Sequence, residues 1–103
     1  MRPDGQPRGL SPKAWEQFTP FAQAVYRAVC EIVPGETRSY AWVARRIKRP
    51  KSARAVGNAL HRNPFAPRVP CHRVLRADGT LGGYAGGVSR KRALLRREGV
   101  PAA

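Results

Sequence analysis

Pro70-Cys71-His72-Arg73-Val74 places a thiol beside an imidazole and a guanidinium. A thiol attacks only as thiolate, and a neighbouring base or positive charge favours that form. Side chains adjacent in sequence do not readily face each other, so moving the Cys71 proton to His72 calls for an intervening water or a bent backbone. Pro70 restricts the chain as it enters the run. The run therefore reads as a built nucleophilic site. The other cysteine, Cys30, lies in the apolar stretch from Ala24 to Val33 and reads as a small buried hydrophobe. There is no Cys-x-x-Cys pair, so a structural zinc is not expected.

The elements that must position this site belong to one small domain. The chain has 103 residues, with 20 Lys and Arg against 6 Asp and Glu, a formal charge of +14. That length supports one modest core. That charge favours a polyanion as partner, because neutralising phosphates releases counterions; charge alone does not separate DNA from RNA. No stretch is long and apolar enough to span a membrane, and no secretory signal pattern opens the chain. A reducing cytoplasm is therefore expected, with nucleoid association in a bacterium, and no membrane partner.

Residues 1–12, rich in Pro, Gly and Arg, read as a flexible basic arm, with the folded domain over 13–103. Trp15 and Phe18 start the domain in a short helical turn. Thr19-Pro20 pairs an N-cap with proline at the first helical position. Phe21, Ala24, Val25, Ala28, Val29 and Ile32 then recur at helical spacing, and Pro34-Gly35 is expected to end that helix. Ser39 would cap a second helix with Val43 and Ile47 inward, broken at Arg49-Pro50. Ser52 would cap a third, to about Leu60 or His61. The pair reads as a helix-turn-helix, and small residues at Ala53, Ala55, Gly57 and Ala59 suit close approach to a partner. A proline-rich turn, Arg62 to Pro70, feeds the cysteine site. Val74-Leu75 reads as extended, Ala77 to Thr80 as a turn, and Leu81 to Gly87 as a glycine-rich loop without the Lys-Ser/Thr of a P-loop. Ser89 would cap a last helix over Arg90 to Glu98, stopped by Gly99. The fold expected is mainly α with short β elements, winged-helix-like, containing a helix-turn-helix.

Tyr40, Ala53-Arg54-Ala55-Val56-Gly57, Asn63-Pro64, Pro70-Cys71-His72-Arg73-Val74, Gly83-Tyr84-Ala85-Gly86-Gly87 and Glu98-Gly99 follow one another in an order and spacing that resemble the C-terminal domain of the O6-alkylguanine-DNA alkyltransferases. The likeness covers Phe18 to Gly99. It implies that Cys71 accepts the alkyl group, that His72 takes the thiol proton through a water, and that Glu98 orients the imidazole. Asn63 would hold the turn before the site, and Tyr40 would donate its hydroxyl to the departing guanine. The backbone around Cys71 and Val74 would read the exocyclic amine of guanine, Tyr84 would wall the pocket, the backbone N–H of Ala85 would meet O6, and Gly86 would complete the substrate-binding set. The target base must be flipped out of the duplex. Arg54 would replace it from the minor groove, with Ala53, Ala55 and Gly57 allowing close approach and Arg73 among the DNA contacts.

The resemblance implies transfer once per molecule, with no metal or cofactor, by a protein acting as a monomer on double-stranded DNA containing alkylated guanine. Two features depart from the family. Its full members carry a further N-terminal domain, and this length is closer to the alkyltransferase-like proteins, which replace the cysteine, bind the lesion without repairing it and pass it to nucleotide excision repair proteins. Ala85 stands where many active members have serine. The retained Cys71, His72 and Glu98 rank transfer first, a damage sensor second and a sequence-specific helix-turn-helix regulator third.

Overall fold

Thr19 opens the first long helix as its type dictates: its extended backbone aims the hydroxyl at Ala22 N–H, and Pro20 occupies the first turn. A computed structural model describes residues 12–62, 69–82, 84 and 87–100. The arm expected over 1–12 lies outside them except for Pro12, which begins helix α1, Pro12–Glu16. Helix α2 spans Pro20–Val29, strand β1 Arg38–Ser39, α3 Tyr40–Arg46, α4 Ala53–His61, β2 Val74–Leu75 and α5 Val88–Arg97; a 3-10 turn, Cys71–Arg73, precedes β2.

Helix α2 ends earlier than Pro34 suggests. The N–H groups of Glu31 and Ile32 bond carbonyls three residues back, at 3.1 and 3.0 Å, so the last turn tightens. This swings Ile32 into the core and leaves Val33 exposed. Two other caps differ from expectation. Ser39 caps α3 through Trp42 N–H at 3.0 Å, but Ser52, with ψ of 20°, makes no side-chain cap bond to α4, because only an extended N-cap aims its hydroxyl at the helix. Helix α5 starts at Val88 behind Gly87, so Ser89 lies inside the first turn and does not cap it.

Helices α2, α3 and α4 enclose the core. Val25, Val29, Val43 and Val56 are wholly buried, each contributing roughly 1.5–2 kcal/mol by leaving water. Tyr26 Oη donates to Ala59 C=O at 2.9 Å, tying α2 to α4. Trp15 and Phe18 close the near end, Phe18 meeting Tyr26 edge-on at 5.6 Å. The α3–α4 pair is the expected helix-turn-helix. Strands β1 and β2 pair in parallel, Arg38 with Val74 and Ser39 with Leu75. This short ladder joins the entry of the helix-turn-helix to the exit of the Cys71 turn. A tight loop, closed by Arg76 N–H to Thr80 C=O at 3.0 Å, follows β2 as a short wing.

Candidate active site

Pro70, at φ −81° and ψ 63°, is the centre of an inverse γ-turn, closed by Cys71 N–H to Val69 C=O at 2.8 Å. The 3-10 turn that follows is fastened by Arg73 N–H to Pro70 C=O at 2.9 Å. The backbone is therefore bent at the site, and both Cys71 and His72 are buried. Successive side chains in such a turn diverge by about 120°, so thiol and imidazole do not point the same way.

Glu98 reaches the site because of how α5 ends. Glu98 is its C-cap, and Gly99, at φ 82°, turns the chain. Gly99 N–H to Arg96 C=O and Val100 N–H to Leu95 C=O, at 3.0 and 2.9 Å, form a Schellman motif. From there Glu98 Oε2 meets His72 Nε2 at 2.9 Å. Neighbouring hydrogen bonds, Arg73 first, hold the Glu98 carboxyl at about 2, so it is ionised at neutral pH and Nε2 must carry the proton it receives. Burial pushes His72 below its ordinary value, keeping the ring neutral. Its Nδ1, buried and with no hydrogen-bond partner among the described residues, is then a bare acceptor able to take a proton.

Arg73 is a correction to the sequence reading, which set it among the DNA contacts. Its guanidinium points inward. Nε donates to Glu98 Oε1 at 2.9 Å, Nη2 to Oε2 at 2.6 Å, and Nη1 to Ile32 C=O at 2.7 Å. The carboxylate, 16% exposed, attracts a forked donor more strongly than solvent does.

Lys91 belongs to the site and was not singled out from the sequence. It is fully buried. Its Nζ donates to Val74 C=O at 2.8 Å and to Leu81 C=O, and lies 5.9 Å from the centre of the Tyr40 ring. Burial brings it down to about 8, against the charge of Cys71, which raises it; the ammonium therefore persists at neutral pH. One signal was legible: Lys91, Leu95 and Glu98 recur on the inward face of α5 at helical spacing.

Three tyrosines are electrostatically coupled to Cys71. Tyr26, Tyr40 and Tyr84 are each held above the ordinary range, by burial first and by Cys71 second, and so remain protonated donors. Tyr84 stands edge-on to His72, ring centres 6.5 Å apart. Val74 is buried, and its carbonyl accepts from Lys91 Nζ. An open cleft of about 720 Å³ brings Tyr40 together with Ala53, Arg54 and Gly57 of α4, and with Arg76 and Gly82. Ala55 lies elsewhere. At 100° per residue it turns away from Ala53, and it lines an apolar cleft with Phe18 and Phe21. Asn63, Ala85 and Gly86 lie outside the described residues.

Gly82 is required where it stands. Its φ is 69°, and a Cβ there would meet Tyr40 Oη at 2.9 Å. Gly82→Ala should cost about 1–2 kcal/mol in the left-handed backbone alone and displace Tyr40. Chemical denaturation checks the first effect, and a loss of ligand affinity on the cleft checks the second.

A helix-turn-helix with a basic cleft beside a buried Cys-His-Glu array defines a class: a nucleic-acid-binding domain equipped with a nucleophile. Residues 20–100 match the family model of the 6-O-methylguanine DNA methyltransferase DNA binding domain, and the chain belongs to that family. A methylated-DNA–protein-cysteine methyltransferase of Methanosarcina mazei is 49% identical over 94 residues, covering 91% of this chain and 60% of that protein. The crystal structure of Mycobacterium tuberculosis OGT in complex with DNA aligns with a TM-score of 0.78 at 53% identity, covering 82% of this chain and 54% of that one. S. pombe Atl1, in complex with damaged DNA containing O6-carboxymethylguanine, aligns at 0.72 and 37%, covering 79% and 77%. The chain spans about half the length of the methyltransferases it matches. Among the described residues no helix is long and apolar enough to cross a membrane.

Proposed function

We propose that this protein repairs O6-alkylguanine in double-stranded DNA by moving the alkyl group to Cys71. The observation that carries the reading is the ionised Glu98 on His72 Nε2 at 2.9 Å, which leaves Nδ1 as the proton acceptor beside a buried thiol. Cys71 gives its proton through a water to Nδ1. The sulfur attacks the alkyl carbon, the S–C bond forms and the C–O6 bond breaks. The electron pair passes to the guanine, which takes a proton from Tyr40 Oη and leaves neutral, while Tyr40 is reprotonated from solvent as the His72 imidazolium gives up the thiol proton. A thioether is not reversed by simple exchange, so each molecule acts once. Asn63, Ala85 and Gly86 would complete the pocket, and the protein would act as a monomer in the cytoplasm, at the nucleoid in a bacterium.

The lesion must leave the stack to reach Cys71. Arg54, exposed on α4 and lining the cleft, would fill the gap from the minor groove, with Ala53 and Gly57 allowing approach. Arg54→Ala should weaken lesion binding roughly tenfold and binding to undamaged duplex much less. Equal losses in a titration of both duplexes would reduce Arg54 to a phosphate contact.

The deciding experiment incubates the protein with a duplex holding one O6-methylguanine, followed by intact mass and peptide mapping. One methyl group on the Cys71 peptide establishes transfer. A second reading rests on the alignment with Atl1, most of whose length this chain covers: tight, lesion-selective binding without a mass gain would make the protein a sensor, with nucleotide excision repair proteins as its partners. No gain and no lesion preference would sink both.

A further inference from the structure

Two helices of this protein end in the same motif with different residues at the same point. Helix α5 turns on Gly99, at φ 82°. Helix α3 turns on Lys48, at φ 63°, the only non-glycine residue at positive φ among the described residues. The hydrogen bonds match: Lys48 N–H to Arg45 C=O at 3.0 Å and Arg49 N–H to Ala44 C=O at 2.8 Å reproduce those of Gly99 and Val100. Glycine is preferred there because any Cβ crowds the backbone in this conformation. Lys48 is exposed and its side chain makes no hydrogen bond or ion pair among the described residues, so no contact within the fold offsets the strain. A cation near a helix C-terminus gains only a weak dipole interaction.

The surroundings supply a reason. Arg45, Arg46, Lys48, Arg49, Lys51 and Arg54 fall within ten positions without an acidic residue, and all are exposed. Among the described residues only Arg46 of the six is ion-paired, to Glu31 at 2.9 Å. Arg54 lines the cleft beside Tyr40, so this turn lies at the end of α4 that enters it. We infer that the α3–α4 turn is a phosphate-binding surface for the DNA backbone flanking the flipped nucleotide, and that Lys48 keeps its charge in a backbone conformation that favours glycine because it contacts a phosphate. The inference rests on the proposed DNA reading and extends it to a contact outside the pocket.

The test uses opposite movements of stability and binding. Lys48→Gly should raise the melting temperature by about 3–6 °C. The same variant should lower affinity for an undamaged duplex, and reduce the slope of log affinity against log salt by about 1, the signature of one lost phosphate contact. Lys48→Ala keeps the strain and drops the charge, so it should lose the slope without the thermal gain. Lys48→Arg should keep the slope. An unchanged slope in Lys48→Gly overturns the inference, as does a lower melting temperature, which would show that the lysine stabilises the fold itself. Wild-type methyl transfer is read separately: its failure, with the slope change intact, would remove the proposed chemistry and leave this surface standing.

Discussion

Glu98→Gln should slow transfer to Cys71 by roughly 10²–10⁴-fold while lesion binding stays near wild type. The side chain keeps its shape, but it has one acceptor oxygen where two are used. Glu98 receives His72 Nε2–H and the Arg73 fork together. Arg73 can only donate, so the amide oxygen turns to it and the amide nitrogen faces His72. Nε2 must then accept, the ring proton moves to Nδ1, and the atom that should take the thiol proton is blocked. Stability should fall as well. The Glu98 carboxyl is lowered from 4.5 to about 2; at 1.36 kcal/mol per pH unit this amounts to about 2–3 kcal/mol after allowing for partial exposure. A depressed carboxylate contributes fully above its unfolded value and loses that contribution as pH falls from 4.5 towards 2, a loss that Glu98→Gln should lack in denaturation across that range. His72 works in the opposite charge sense with the same direction. Lowered below 6.5, it stays neutral in the fold while the unfolded chain takes a proton, so acid destabilisation begins below pH 6.5. The acid limb of transfer, followed by mass, should fall only at lower pH, where His72 of the folded protein takes a proton. Wild-type transfer in Glu98→Gln would remove the carboxylate from the mechanism.

What could be read in the sequence was what local chemistry decides. Thr19-Pro20 and Ser39 had to start helices, and they do. Cys71, His72 and Glu98 were legible as a set through the family resemblance, and the structure joins His72 to Glu98 although 26 positions separate them. Arg73 was misplaced because a basic residue in a chain of charge +14 reads as a phosphate contact. Only the fold shows that Ile32 C=O and Glu98 converge on it from two elements. Ala53 and Ala55, read together as small residues, line different clefts because two positions on α4 differ by about 200°. Ser52 and Ser89 fit their cap types, but backbone angles and a glycine two residues earlier decided otherwise. Tertiary geometry outweighed residue preference at each of these points.

Lys91→Met should separate chemistry from stability more sharply than any other change. The substitution leaves the carbonyls of Val74 and Leu81 without their shared donor, a loss of about 1–3 kcal/mol each. It also removes a buried ammonium, whose drop from 10.5 to about 8 corresponds to a charge penalty on the order of 3 kcal/mol. The two effects oppose each other and leave net stability within about 3 kcal/mol of wild type. Transfer has no such compensation. Lys91 fastens the residue after the Cys71 turn to the loop that carries Gly82, and its charge favours a thiolate at Cys71. A reacting group displaced by about 1 Å costs on the order of 10²-fold, so transfer should fall by about that much. The two contributions differ in their pH response. The part due to the missing charge should recover at alkaline pH, where hydroxide forms the thiolate that the ammonium no longer supports, whereas the part due to displacement should not. Single-turnover rates by mass from pH 7 to 9, beside denaturation of the same protein, measure both. Unimpaired transfer would make Lys91 a structural brace alone, and a fall with no alkaline recovery would assign its effect to position without charge.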